Sequence, residues 1–165
     1  MNVDIIPYFL RFNEFIKKFP RYDFHIHTNF TDGKSSIEEY TKMAIIKKLE
    51  AIAFTEHVRR DSSFFPYFIL KVKKIRKKHK IKIFFGIEAK ALDFEGQIDA
   101  SPSMIKISEI VLGAVHRYPD GQGGFLDVKR LSKEEAANIE YRLAMGLLKY
   151  GKIDALAHPG GFFET

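Results

Sequence analysis

A chain of 165 residues, 45% hydrophobic and 29% charged, is ordinary material for one globular domain with a sizeable core. Cysteine is absent, which excludes a disulfide framework and any thiolate metal site, so a metal could be held only by nitrogen and oxygen ligands. The net charge of +6 favours anionic partners; no stretch is long enough to span a membrane; and Asp4, Arg11 and Glu14 interrupt the N-terminal apolar run where a signal peptide would be uninterrupted, which makes the cytoplasm the expected compartment.

In chain order, residues 5–19 read as a helix with Phe9, Phe12, Phe15, Ile16 and Phe19 as its apolar positions, stopped by Pro20. Residues 1–21 are therefore expected to be a helical extension docked on a domain that occupies residues 22–165. The first strand is predicted over 22–27, followed by a loop from Thr28 to Lys34. Ser35 with Glu38 offers a capping box for a helix running to about Leu49, with Ile37, Tyr40 and Ala44 at helical spacing. Glu50 to Thr55 reads as a second strand, continuously apolar over Ala51, Ile52, Ala53 and Phe54 as buried parallel strands are. A helix over 67–79 follows, with Phe68, Val72, Ile75 and His79 as its inward line. The third strand is expected from Ile81 to Ile87, a short helix after Pro102, and the fourth strand from Ile110 to Val115. The segment 117–131 reads as a loop with glycines at 121, 123 and 124. Ser132 to Glu135 is a second capping box, opening a helix with Ala136, Ile139, Leu143, Leu147 and Tyr150 on one face and Gly151 at its end. A fifth strand is expected from Asp154 to Ala157.

Strands alternating with helices imply parallel strands and βαβ units, in which ligands bind at the carboxyl ends of the strands. Each predicted strand ends in a residue of metal-ligand type. His25 and His27 close the first, His57 the second, Glu88 the third, His116 the fourth and His158 the fifth, which places five of the six histidines at strand ends. Residues i and i+2 of a strand share a face, so His25 and His27 can offer two imidazoles to one ion. Asp32 follows five residues after His27. Imidazole with carboxylate suits Zn, Mn or Fe better than Mg or Ca.

The ordered set His25-x-His27 with Asp32, Thr55-Glu56-His57, Glu88, His116 and Ala157-His158-Pro159-Gly160 resembles the PHP family, named for polymerase and histidinol phosphatase, over residues 22–161. The resemblance implies a distorted (β/α)7 barrel holding two to three divalent ions. It implies that His25 and His27 hold the first ion, that Glu88 bridges to a second completed by His116 and His158, and that Asp32 and His57 serve a third. The family ends its ligands with a D-x-H motif on a later strand, which is missing before Thr165, and two strands are expected to be missing with it. A barrel so truncated has open sheet edges, so self-association is expected if these residues are the whole polypeptide.

The activity implied is hydrolysis of a small phosphomonoester, histidinol-phosphate-like or a nucleotide, by a hydroxide bridging the metals, with Glu88 central because it alone serves two ions. Arg117 is the expected phosphate clamp, with Arg59 and Lys90 as weaker candidates. A nuclease of the polymerase-associated type and a non-catalytic interaction module are the alternatives. Nucleic acid is a lesser expectation than a small substrate, because the basic run Lys71 to Lys82 has an apolar line at helical spacing and reads as a solvated outer face. His79 lies within that run and reads as structural. Glu56 is expected to support the site without binding metal, and Asp23 either orients a ligand histidine or does nothing.

Overall fold

Apolar runs and amphipathic stretches alternate along the chain, and they fold as alternating strands and helices. The computed structural model describes residues 21–160. It contains β1 (Tyr22–Ile26), α1 (Ile37–Ile46), β2 (Ala51–His57), α2 (Phe65–Arg76), β3 (Lys82–Lys90), α3 (Pro102–Ile107), β4 (Ile110–Ala114), α4 (Lys133–Tyr150) and β5 (Ala155–Leu156). The helix expected over residues 5–19 lies outside the described residues. This is the α/β arrangement expected for part of a barrel, with five strands among the described residues. No helix among them is long and apolar enough to cross a membrane.

The chain divides into two compact units, Met1–Glu56 with Ser63–Gly86, and His57–Ser62 with Ile87–Thr165. In the first, the strand order is β1, β2 and the first part of β3. β1 and β2 run parallel, with Tyr22 opposite Ala51, Asp23 opposite Ile52 and Ile26 opposite Phe54. The register slips between Asp23 and Ile26. The unbroken apolar run Ile52, Ala53, Phe54 is fully buried, as are Phe65, Phe68 and Val72 of α2. Burying each large side chain of this set contributes about 1.5–3 kcal/mol. The lysines at 73, 74, 77 and 78 are exposed while Val72 and Ile75 are buried, so this basic run is a solvated helix face.

In the second unit the order continues through the end of β3 to β4 and β5. β4 and β5 are parallel, Leu112 opposite Ala155 and Gly113 opposite Leu156. Ile87, Ala89, Ile110, Leu112 and Ala114 are buried, together with Leu143 and Leu147 of α4. β3 extends beyond its predicted end at Ile87, so Glu88 lies inside the strand. The backbone on both sides keeps bonding there: Val58 N–H donates to the Glu88 carbonyl (3.2 Å) and Ala91 N–H to that of Ala114 (2.8 Å).

Two helix starts differ from expectation, each for a local reason. The first capping box forms at Ser36 and Glu39, one residue late. The sequence satisfies either register, but the Ser35 carbonyl is already engaged by the Asn29 N–H at 3.0 Å, which makes Ser35 part of the preceding loop. α2 starts at Phe65, with Pro66 inside its first turn, where a missing N–H costs no helical bond. The second capping box forms at Ser132 and Glu135 as predicted.

Ser36→Ala should lower stability by about 1 kcal/mol at neutral pH, read from urea denaturation. The Ser36 backbone and side-chain bonds hold the Glu39 carboxyl below its usual range. The contribution of that carboxylate is therefore complete above the unfolded-state pKa and fades as the pH falls through the lower folded value. The gap between the variant and the parent should narrow on acidification.

Candidate metal centre

In the first unit, β1 delivers His25 from within the strand and His27 just past its end. Their Nε2 atoms lie 3.1 Å apart and their rings meet edge to face at 4.9 Å. Asp32 reaches back from the following loop, its Oδ1 lying 3.9 Å from His27 Nδ1. That loop is held closely. A Cβ on Gly33 would stand 2.1 Å from the His27 carbonyl oxygen, so only glycine permits the approach. Phe30 packs among Phe64, Tyr67 and Phe68 of the α2 region.

Glu56, fully buried, closes the arrangement. Its Oε1 accepts the Thr28 N–H (2.9 Å) and the Thr28 hydroxyl (2.5 Å), and its Oε2 accepts the Thr31 hydroxyl (2.5 Å). Burial raises its pKa, while the threonine bonds act in the opposite direction. Glu56 thus fastens the loop that carries Asp32, which is a supporting role. Asp23 accepts the backbone N–H of His25 at 3.1 Å, a bond that braces the strand.

In the second unit, Glu88 is the meeting point of three imidazoles. Its side chain is shut off from solvent. Oε1 lies 2.8 Å from His158 Nε2 and 3.3 Å from His116 Nε2, and Oε2 lies 2.9 Å from His57 Nδ1. The His116 and His158 Nε2 atoms are 3.4 Å apart, with the rings stacked at 5.2 Å. Tetrahedral zinc with bonds of about 2.0–2.2 Å sets its ligand atoms about 3.3–3.6 Å apart. A triangle with edges of 2.8, 3.3 and 3.4 Å is close to that spacing, so these donors fit one divalent ion of borderline softness. His57, Glu88 and His116 form a second set of mutually close ligand atoms around the same carboxylate. His79 joins no such group among the described residues.

Beside this cluster is a cavity of about 360 Å³ lined by His57, Glu88 and His116, and also by Arg59, Lys90 and Arg117. All three cations singled out in the sequence thus line one space. Lys90 is paired with Asp99 at 3.0 Å. Lys90 and Arg117 both lie over the Phe125 ring, at 5.1 and 5.4 Å from its centre. Phe125 is brought back by its bridge to Pro119. The glycine-bearing loop is therefore folded upon itself, with Asp120 accepting the N–H groups of Gln122 and Gly124.

Sequence reasoning missed Tyr118 and Glu140. Both are buried, and the Tyr118 hydroxyl lies 3.3 Å from Glu140 Oε2. Burial first, and then the neighbouring carboxylate, push the Tyr118 pKa up to about 12, so it remains a donor. The available signal was the position of Glu140 between Ala136 and Leu143 on the apolar stripe of α4.

Comparison with known proteins gives a consistent outcome. The family model described as the PHP domain matches residues 23–157. A probable phosphatase of Shewanella sp. (strain W3-18-1) is 29% identical over 143 residues, covering 84% of this chain and 51% of the relative. A probable phosphatase of Proteus mirabilis is 26% identical over 141 residues, covering 84% of this chain and 53% of the relative. The chain spans about half the length of the curated relatives it matches.

Glu56→Ala should destabilise the protein by about 2–4 kcal/mol, because the buried Thr28 N–H and hydroxyl and the half-buried Thr31 hydroxyl lose their acceptor. Glu56→Gln keeps an oxygen for Thr28 and lets the Thr31 hydroxyl turn to accept, so it should cost less than about 1 kcal/mol. Urea midpoints of the two variants check this; equal midpoints would remove the loop-fastening role.

Proposed function

The chain belongs to the PHP family, and on that premise we propose that it is a metal-dependent phosphoesterase acting on a small phosphomonoester, histidinol-phosphate-like or a nucleotide. One observation carries this reading: a single cavity is lined by the ligand residues His57, Glu88 and His116 and by the cations Arg59, Lys90 and Arg117. Hydrolysis of a phosphoester uses both features, ligands for a Lewis-acidic ion that would acidify a water and fixed positive charge for the non-bridging oxygens. A purely structural metal site has no use for the second.

We assign His116, His158 and Glu88 to one ion and His25 and His27 to another, with Asp32 and His57 as the remaining candidate ligands. Zn, Mn or Fe suits these donors. Such ions, when bound, supply Lewis acidity and acidify water at neutral pH. The chain's own residues do the remainder. Arg117, exposed at the cavity, presents a planar fork that matches two phosphate oxygens. Arg59 adds a second charge from the loop after β2. Lys90 is partly neutralised by Asp99 and contributes less. Phe125 holds the Lys90 and Arg117 cations by its ring face, which limits their freedom before substrate arrives.

The direct test is turnover of p-nitrophenyl phosphate and small phosphomonoesters by the full-length gene product with added Mn or Zn. Hydrolysis is expected. No turnover of any phosphoester would overturn the reading, and cleavage of oligonucleotides alone would favour the nuclease instead. Within that assay, Arg117→Ala should lower kcat/KM by about 10- to 100-fold, mostly through KM, since the clamp holds ground state and transition state alike. Glu88→Gln should abolish detectable turnover and lower the metal content measured by elemental analysis. Wild-type metal content and rate in that variant would show that Glu88 is not a metal ligand.

A further inference from the structure

His116 and His158 lie 42 residues apart in the chain, each just past the end of a different strand, yet their Nε2 atoms are 3.4 Å apart. The backbone at His158 takes φ +27°, a value that side-chain-bearing residues rarely adopt, and Gly160 takes φ +84°. A turn of this kind needs fastening from outside itself. The fastening is Glu140, 5% exposed, on α4. Its Oε1 accepts the Gly160 backbone N–H at 2.8 Å, and its Oε2 lies 3.3 Å from the Tyr118 hydroxyl, which donates to it. Gly160 is two residues past His158, and Tyr118, fully buried, is two residues past His116. One carboxylate therefore grips both ligand-bearing loops at the same distance along the chain from each ligand. Its helix is a firm base, with a complete capping box at Ser132 and Glu135 and with Leu143 and Leu147 fully buried.

We propose that Glu140 is a positioning residue for the metal centre, setting the separation of His116 and His158 through hydrogen bonds to Tyr118 and Gly160. The inference rests on the metal-site reading given above. A buried acid serving stability alone would have no reason to join these two loops, and the two roles have different consequences. Loss of a stabilising contact lowers the unfolding midpoint and leaves the ligand geometry of folded molecules intact. Loss of a positioning contact changes affinity and coordination in molecules that remain folded.

The experiment is titration of the full chain with Co²⁺, followed by visible absorption and calorimetry, for the parent and for Glu140→Ala, Glu140→Gln, Tyr118→Phe and Leu143→Ala. Glu140→Ala should weaken Co²⁺ binding by about 10- to 100-fold and alter the visible bands. Glu140→Gln, whose amide oxygen still accepts the Gly160 N–H, should recover most of that loss. Tyr118→Phe removes one of the two bonds and should fall between. Leu143→Ala should lower the unfolding midpoint while keeping parental affinity and bands. Parental affinity and bands in both Glu140→Ala and Tyr118→Phe would overturn the proposal, as would an equal loss of affinity in Leu143→Ala. If Glu140→Ala does not fold, Tyr118→Phe decides, with weakened binding for the proposal and parental binding against it. A parent chain that takes up no Co²⁺ would overturn the metal-site reading and this inference with it; tight parental binding matched by the variants overturns the inference alone.

Discussion

A carboxylate shut off from water is costly to keep charged unless neighbouring groups compensate for its lost hydration. Glu88 is in that position, and its compensation in the second unit is three imidazoles drawn from three other chain segments. The rest of that unit can be understood as what this convergence requires. β3 must run past Ile87 so that Glu88 sits between buried Ile87 and Ala89 and faces the opposite way from both. Lys90, two residues further along, then shares its face, and both line the cavity. A two-residue alternation on one strand thus places an acid suited to metal and a base suited to phosphate side by side.

The loops that carry the other groups are less constrained than the strands, and buried acids fasten them. In the first unit Glu56 gathers three donors from Thr28 and Thr31. In the second, Glu140 gathers Tyr118 and Gly160. In each case a residue costly to bury is retained where its oxygens hold loop backbone and hydroxyl groups by hydrogen bonds. An apolar residue there could fill the same volume, but it could not direct a particular N–H or hydroxyl. Both acids are accordingly better understood through the loops they hold than through chemistry of their own.

Much of this was legible in the chain. Ligand types are few, cysteine is absent, and strand ends are marked by apolar runs, so His25, His27, His57, Glu88, His116 and His158 stood out in order. Helix stripes and capping boxes were readable because they depend on residues three or four apart. Where local rules allowed two answers, they did not choose. Ser35–Glu38 and Ser36–Glu39 are equally good boxes, and the bond from Asn29 to the Ser35 carbonyl decided between them. Glu56 reads in the sequence as a supporting group and Asp23 as either an orienting acid or a residue without a role, but what each holds was not legible, because their partners are backbone groups and hydroxyls with no distinctive spacing.

By itself, then, the sequence determined the alternation of strands and helices, the family, and the kinds of atoms available to a metal and a phosphate, since these follow from residue identity and short-range period. The tertiary structure alone decided which of those atoms meet. The 3.4 Å between the imidazoles of His116 and His158 depends on the pairing of β4 with β5, on a left-handed turn at His158, and on an acid in α4 that looks from its position like a misplaced polar residue on an apolar stripe. Such distances arise from contacts between segments far apart in the chain, and no local pattern of side chains encodes them.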